Sequence, residues 1–437
     1  MPLSFAAARS AMQAMLARLY SSRLYRWQYG RREPERLVLA PQDLRAADPT
    51  RAAEIIDGRF TFAGKTVDAY GVSPFALIAP VRAWTDALLS FTWLRHLRAA
   101  DTVAGRNAAR QLVGDFVRSM VRFSPEALEP LTTARRVLAW LTQAPLALDG
   151  ADRGFYRAFV RSLAWQANYL LRAGPVGRDG MPRLLCAIAA AQASLCLSDN
   201  AGLRRRATRG LVRELERQVL PDGCHIARNP QAVVELLLDL LPLRQSYQAR
   251  NLAPPQEVIS AVDRLMPMLR FVRHADGSFA TFNGMGYTQG HLIATLLTYD
   301  DARGKPVQNA PHGGYQRIDG GGSVVLVDTG RPPPLTLSHE AHAGTLSFEF
   351  SAEGARIIVN CGAPTSGRDS WRQLARETSA HSTLCVGKIS SCVFASGRGR
   401  EGPLDRQSSR YRITRCREGL RQGQGRIALF GAQLGIA

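Results

Sequence analysis

A change in the spacing of apolar residues near position 312 constrains this chain more than any single motif does. From about residue 75 to 300 the apolar residues return every three or four positions, as in Trp84, Leu88, Leu89, Trp93, Leu94 and Leu97, then Leu112, Phe116, Met120 and Val121. That spacing gathers them on one face of a helix. Further helices are predicted near 132–148, 152–173, 181–198, 200–219, 230–249, 254–273 and 288–299, parted by breakers such as Gly174-Pro175 and Asn251 to Pro255. Consecutive helices of this length with short connections pack as antiparallel neighbours, in a bundle, a solenoid or a closed helical toroid. No fixed sequence period recurs, which disfavours a simple repeat array.

After residue 312 the period becomes two. Ser323–Val327, Leu346–Phe350, Ile357–Val359 and Thr383–Val386 alternate and are bounded by Gly, Pro or Ser, which predicts antiparallel strands. The stretch Asp300 to His312 suits a linker. The reading is an α+β chain of three parts: a basic segment 1–54, a helical domain 55–305 and a β domain 312–437. Past Val393 the chain turns rich in Gly, Arg, Ser and Gln, and only Tyr411–Ile413 and Ile427–Phe430 resemble strands. The expectation is a β domain truncated or frame-shifted at its C-terminus, with residues from about 400 poorly ordered.

Charge and cysteine narrow the partners. The 437 residues carry 56 basic and 36 acidic side chains, a net charge of +20, which favours an acidic polymer, anionic lipid or nucleic acid. All but three of the cations (Lys65, Lys305 and Lys388) are arginine, so part of the charge reflects a compositional bias. No nucleic-acid module or aromatic platform accompanies it, and no specific nucleic-acid partner is expected. The seven cysteines form no CxxC pair, which argues against a disulfide framework or a zinc ribbon. No apolar run is long enough to span a membrane. Residues 1–32 carry six arginines and no acid before Glu33. They read either as a helix packed on the domain with solvated arginines or as a basic amphipathic segment on an anionic membrane, and not as a cleavable signal.

Three polar islands offer chemistry. The first is Asp222 to Pro230, just before an apolar helix. There Asn229 caps that helix, with Pro230 at its first position, or His225, Arg228 and Asn229 bind a carboxylate. The second is Asp276 to Tyr287, a glycine-rich turn presenting a phenol: a packing tyrosine, or a general acid or base if a cation lowers its pKa. The third gathers His339, His342 and His381 in the β region, as ordinary hydrogen-bonded histidines or as part of a metal site. No GxSxG, HExxH, Walker loop or dinucleotide fingerprint occurs, and Gly320-Gly321-Gly322 reads as a turn.

The sequence resembles the heparinase II/III-like polysaccharide lyases over most of residues 55–393. The strongest stretches are Ala134 to Leu141, Leu220 through Pro230, Leu238 to Gln245, and Phe282-Asn283-Gly284-Met285-Gly286. The resemblance implies an incomplete (α/α) toroid followed by a β-sandwich. It also implies β-elimination on a uronate-containing acidic polysaccharide, in which the uronate carboxylate is neutralised, a base takes the C5 proton and an acid protonates the leaving oxygen. By position Asn229 matches the neutralising asparagine and Tyr287 stands about where the catalytic tyrosine does. His225 would assist, and Arg228, Arg244 and His339 would contact substrate. Where the family carries His-x-His, this chain has Glu340 and His342, so Glu340 would have to serve as base. Zinc, if bound, would fall to His342, His381 and Asn360, the last standing where the family has an aspartate. Glu340 and Asn360 keep open a second reading, a non-catalytic carbohydrate-binding or envelope-associated protein on the same scaffold. The resemblance suggests the cell envelope or periplasm, whereas the unreadable signal suggests the cytoplasm.

Overall fold

A computed structural model describes residues 36–396 apart from 199, 301–303, 305, 365–368, 386 and 388, with the strand 411–416 and a few positions before 36. The chain divides into two compact units. One comprises Met1–Leu215 and Leu238–Ile259, the other Glu216–Leu237 and Ser260–Ala437. This division does not follow the change of period: the segments 216–237 and 260–311, helical or loop-like in sequence, group with the sheet. Most of the basic segment 1–32, and Ile427–Phe430, lie outside the described residues.

The first unit is helical. Pro49–Ile56, Arg82–Ser90, Leu94–Ala100, Val103–Arg118, Pro130–Thr142, Ala144–Leu148, Arg153–Ala173 and Met181–Cys196 follow one another, then Ala201–Gln218 and Gln231–Ala249. The side chains of Asp48, Thr102, Glu129 and Asp152 accept first-turn N–H groups, satisfying donors that each helix leaves free. The core holds Trp84, Phe91, Phe116, Trp140 and Phe159, with Phe91 edge-on to Trp140 and Trp140 stacked on Phe159. Into this apolar packing Arg136 places a fully buried guanidinium, held by Leu89 O, Ala127 O and Gln166 Oε1 at 2.7–2.8 Å and stacked on Phe116. Burial brings its pKa down to about 9. A hairpin of β1 (Arg59–Phe62) and β2 (Lys65–Asp68) also belongs here. It turns at Ala63-Gly64, both at positive φ as a two-residue hairpin requires. It precedes the helical run from residue 75, where period-3.6 spacing carries no information about it.

The second unit is built on an antiparallel sheet of β3 (Asn309–Ala310), β4 (Tyr315–Gly320), β5 (Ser323–Asp328), β6 (Phe348–Ala352) and β7 (Ala355–Ile358), in that order. Gly321-Gly322 and Glu353-Gly354 make its two tight turns, again at positive φ. Along β5 every second residue, Val324, Leu326 and Asp328, is buried, so the sequence alternation fixes which face the sheet covers. β8 (Cys392–Ser396) pairs with β9 (Tyr411–Cys416), which takes in the predicted Tyr411–Ile413 strand. The expectation of a strand at Thr383–Val386 is corrected: Thr383 to Cys385 are irregular, Leu384 is exposed, and the Thr383 hydroxyl donates to Thr345 O instead of a ladder forming. Among the described residues no helix is long and apolar enough to cross a membrane.

Candidate functional site

The 222–230 island folds tightly in the second unit. Asp222 accepts N–H bonds from Cys224, His312 and Gly313. Gly223 sits at φ +84°, where a Cβ would come within 2.0 Å of Arg264 O, so only glycine fits. His225 is fully buried. Its Nε2 lies 2.9 Å from Gln218 Oε1 and its Nδ1 accepts from Ala227 N at 3.1 Å. Since the amide oxygen only accepts, Nε2 carries the proton and both ring nitrogens are engaged. The expectation that His225 assists in chemistry is therefore corrected: it holds the loop.

Arg228 is corrected in the same way. Its guanidinium, 8% exposed, donates to Gly313 O at 2.6 Å, Arg331 O at 2.8 Å and Gly314 O at 3.2 Å, pairs with Asp328, and stacks on Tyr315. Burial alone pushes its pKa down, and the Asp328 carboxylate outweighs that and raises it. A guanidinium spent on three carbonyls and a buried carboxylate is not available to a substrate carboxylate.

Asn229 takes the predicted capping role. Its Oδ1 accepts from Gln231 N at 2.9 Å, capping the helix Gln231–Ala249, which leaves Nδ2 to donate to Glu340 Oε2 at 3.3 Å. Gly284 makes this approach possible: at φ +88°, a Cβ there would come within 2.8 Å of Glu340 O and 3.2 Å of Asn229 Nδ2. Beneath the pair lies a buried polar network that periodicity could not reveal. Asn283, itself at positive φ, donates through Nδ2 to Tyr315 Oη at 2.7 Å and Asp328 Oδ2 at 3.1 Å, and the Tyr315 hydroxyl donates to Arg228 O at 2.6 Å. The Asn283-Gly284 dipeptide was its one legible signal, as a turn pair tolerant of positive φ.

The loop 338–343 carries Glu340, exposed, with His339 partly buried beside it. Arg376 fastens this loop by donating to Ala341 O at 2.9 Å and Ser338 O at 3.0 Å. Burial lowers the Arg376 pKa to about 10, the Glu340 carboxylate opposing the shift. His342 Nδ1 lies 3.1 Å from His381 Nε2, and His381 Nδ1 lies 2.7 Å from Glu377 O. The carbonyl only accepts, so Nδ1 of His381 carries a proton and Nε2 receives the one on His342 Nδ1. Burial pushes both pKa values down, that of His342 well below the ordinary imidazole value with the neighbouring His381 adding to the effect.

Two imidazole nitrogens about 3.3 Å apart are what one tetrahedral zinc would span, so this pair suits two ligands. Asn360 does not complete the set. Its Nδ2 donates to Glu349 Oε1 at 3.0 Å, and its Oδ1 accepts from Ser382 N at 3.0 Å and Ser382 Oγ at 3.2 Å. Among the described residues no group of three His, Cys, Asp or Glu gathers as a metal would need, and the donor set as a whole does not fit zinc. Asn360 belongs instead to a knot around Glu349. That carboxylate takes N–H bonds from Thr281 and Asn360 and pairs with His274 at 2.9 Å, both side chains being fully buried. Burial alone raises the Glu349 pKa, and bonds from His274, Thr281 and Asn360 overturn this and hold it low.

Tyr287 lies three residues beyond Gly284, the glycine that lets Asn229 and Glu340 approach each other. It is 77% exposed and lines a cavity of about 630 Å³ together with Arg273, Asp276, Thr281, Arg356 and Asn360, to which Asn229, Glu340 and the histidine pair contribute nothing. Arg244 lies in the first unit.

Residues 302–426 match the family model described as Heparinase II/III-like, C-terminal. Over 334 residues the chain is 34% identical to FtsZ-localized protein C of Caulobacter vibrioides, covering 75% of this chain and 57% of that protein. The chain thus spans little more than half the length of that relative. Among solved structures it resembles Heparinase III, with TM-score 0.63 and 14% identity over 85% of this chain and 69% of the other. A mutant of heparan sulfate lyase HepC from Pedobacter heparinus is also similar, with TM-score 0.54 and 18% identity over 89% and 69%. At such identities the likeness is one of fold, a mostly helical chain with an antiparallel sheet. The chain is thus similar to heparinase II/III-like proteins in the matched domain and in its fold.

Proposed function

We propose that the chain binds an acidic, uronate-containing polysaccharide and cleaves it by β-elimination. The observation that carries this reading is the Asn229 amide: its oxygen is fixed by the helix cap, so its Nδ2 is aimed at the exposed Glu340 carboxylate. At 3.3 Å that bond is long, and a uronate carboxylate can displace Glu340 from it at little cost. The amide then stabilises the charge that builds on the substrate carboxylate as C5 loses its proton. Glu340, freed, accepts that proton. The C–H electron pair becomes the C4=C5 double bond, the C4–O bond breaks, and the leaving oxygen takes the Tyr287 phenolic proton. Solvent afterwards returns the proton from Glu340 to Tyr287. With Arg228 and His225 committed to the fold, no step is assigned to them.

The test is the ultraviolet absorbance of the unsaturated uronate product over a panel of acidic polysaccharides. Product from wild type, lost in Glu340→Gln and Tyr287→Phe, is expected. Silence across the panel from folded protein overturns the lyase reading.

A second reading is a non-catalytic saccharide-binding or envelope-associated protein. It is favoured by Glu340 already holding the amide hydrogen that a substrate would need. The relative named for its localisation with FtsZ is consistent with such a role. Saccharide binding without product would establish it.

A further inference from the structure

The cavity beside Tyr287 carries more cation than its wall neutralises. Among the described residues Arg273 and Arg356 line it against a single carboxylate, Asp276. That carboxylate pairs with Arg356 Nε at 3.3 Å and accepts from Ser278 N at 2.9 Å. Among the described residues the Arg273 guanidinium makes a long Nε contact to Gly277 O, at 3.5 Å, with Arg317 as a like-charged neighbour and Asp276 as an opposing charge. Burial, then the Arg317 charge, lowers its pKa, with the Asp276 carboxylate opposing the shift. Arg317 cannot relieve it: its own donors go to Phe271 O, Arg273 O and Asp319. Behind the wall, the Glu349 carboxylate is already matched by His274, Thr281 and Asn360. Apolar Ile293, Leu297 and Val359 also line the cavity, and so does the exposed Tyr287. A space of about 630 Å³ lined by apolar side chains, an aromatic ring and two guanidinium groups against one carboxylate among the described residues has the size and chemistry of a site for a small acidic ligand.

We propose that this cavity binds the acidic group of a saccharide, carboxylate or sulfate, with Arg273 as its cationic anchor, Arg356 as a second donor and the Tyr287 ring as a stacking face. The choice of a saccharide rests on the reading of the chain as acting on acidic polysaccharide; the anion preference rests on the cavity itself.

The experiment is calorimetric titration of the full chain with three tetrasaccharides: hyaluronan-derived (carboxylate only), heparin-derived (carboxylate and sulfate) and maltotetraose (neutral). Binding of the acidic probes and not of maltotetraose is expected, weakening with salt. Binding of both acidic probes assigns the site to a carboxylate, and binding of the heparin-derived probe alone assigns it to sulfate. Arg273→Gln should weaken binding about tenfold or more, the loss of a charge-assisted bond, while Arg273→Lys largely retains it. Asp276→Asn should tighten binding several-fold by removing the one opposing charge, an effect that damage to the fold would not produce. Equal affinity in wild type, Arg273→Gln and Asp276→Asn, or equal binding of maltotetraose, overturns the proposal whatever the elimination assay shows. Loss of binding in Arg273→Gln without product from wild type refutes the lyase reading and leaves the anion site standing.

Discussion

Replacing Arg228 by methionine tests whether its guanidinium holds the fold or waits for a ligand. The substitution keeps much of the apolar stem and removes every donor, leaving Asp328 buried beside an uncharged side chain and three carbonyls short of a partner. Breaking a buried ion pair from one side costs about 3–5 kcal/mol. At about 4 kcal/mol, an opening equilibrium shifts by roughly a factor of 10³. Tryptophan fluorescence is a poor monitor, because among the described residues Trp84, Trp93, Trp140 and Trp165 belong to the first unit and Trp371 to the second. Amide hydrogen exchange is direct: β4 and β5 amides that exchange by opening of the second unit should do so about 10³-fold faster in Arg228→Met. Adding Asp328→Leu removes the stranded charge and should recover about 1–2 kcal/mol, not all of it, because Asn283 Nδ2 and Gly330 N also depend on that carboxylate. Protection within threefold of wild type, with saccharide binding lost, would refute the structural assignment and restore Arg228 as a ligand clamp.

Other perturbations follow from the same geometry. Gly284→Ala should cost about 2–4 kcal/mol, from positive φ and from crowding of Glu340 and Asn229; exchange in 281–285 and 338–343 reads it. The folded-state pKa values of His342 and His381 lie below the unfolded value of 6.5. Their contribution is therefore complete above about pH 6.5 and is lost as pH falls beneath it, by up to about 1.4 kcal/mol per pH unit for each histidine. Exchange in 377–382, corrected for intrinsic rates, should rise from pH 7 to 5, and His342→Asn should flatten that rise; an unchanged profile would remove the histidine pair as its cause. Arg136→Met should destabilise the first unit by about 2–4 kcal/mol in urea unfolding followed by fluorescence, since three buried acceptors lose their donor.

What sequence alone determines here is local. The 3.6-residue period places helices within a few residues of where they form, because burying one stripe of a helix requires that spacing whatever it packs against. The alternation in β5 and the Gly321-Gly322 turn likewise fix a strand, its buried face and its hairpin partner without reference to the rest of the chain. The cap at Asn229 is equally legible, since a capping oxygen answers to N–H groups two or three residues away. Roles set by distant contacts are not. Arg228 and His225 sit in a stretch that suggests a carboxylate site, and only the arrival of Gly313, Gly314, Asp328 and Gln218 turns them into structural residues. Asn360 occupies a position that suggests a metal ligand, and it is the Glu349 knot, joined by Thr281 and His274 from elsewhere in the chain, that takes up its amide. A side chain's hydrogen-bonding capacity is set by its covalent structure, but which partner takes it up is decided by whatever the folded chain brings within 3 Å, and no spacing along the sequence records that.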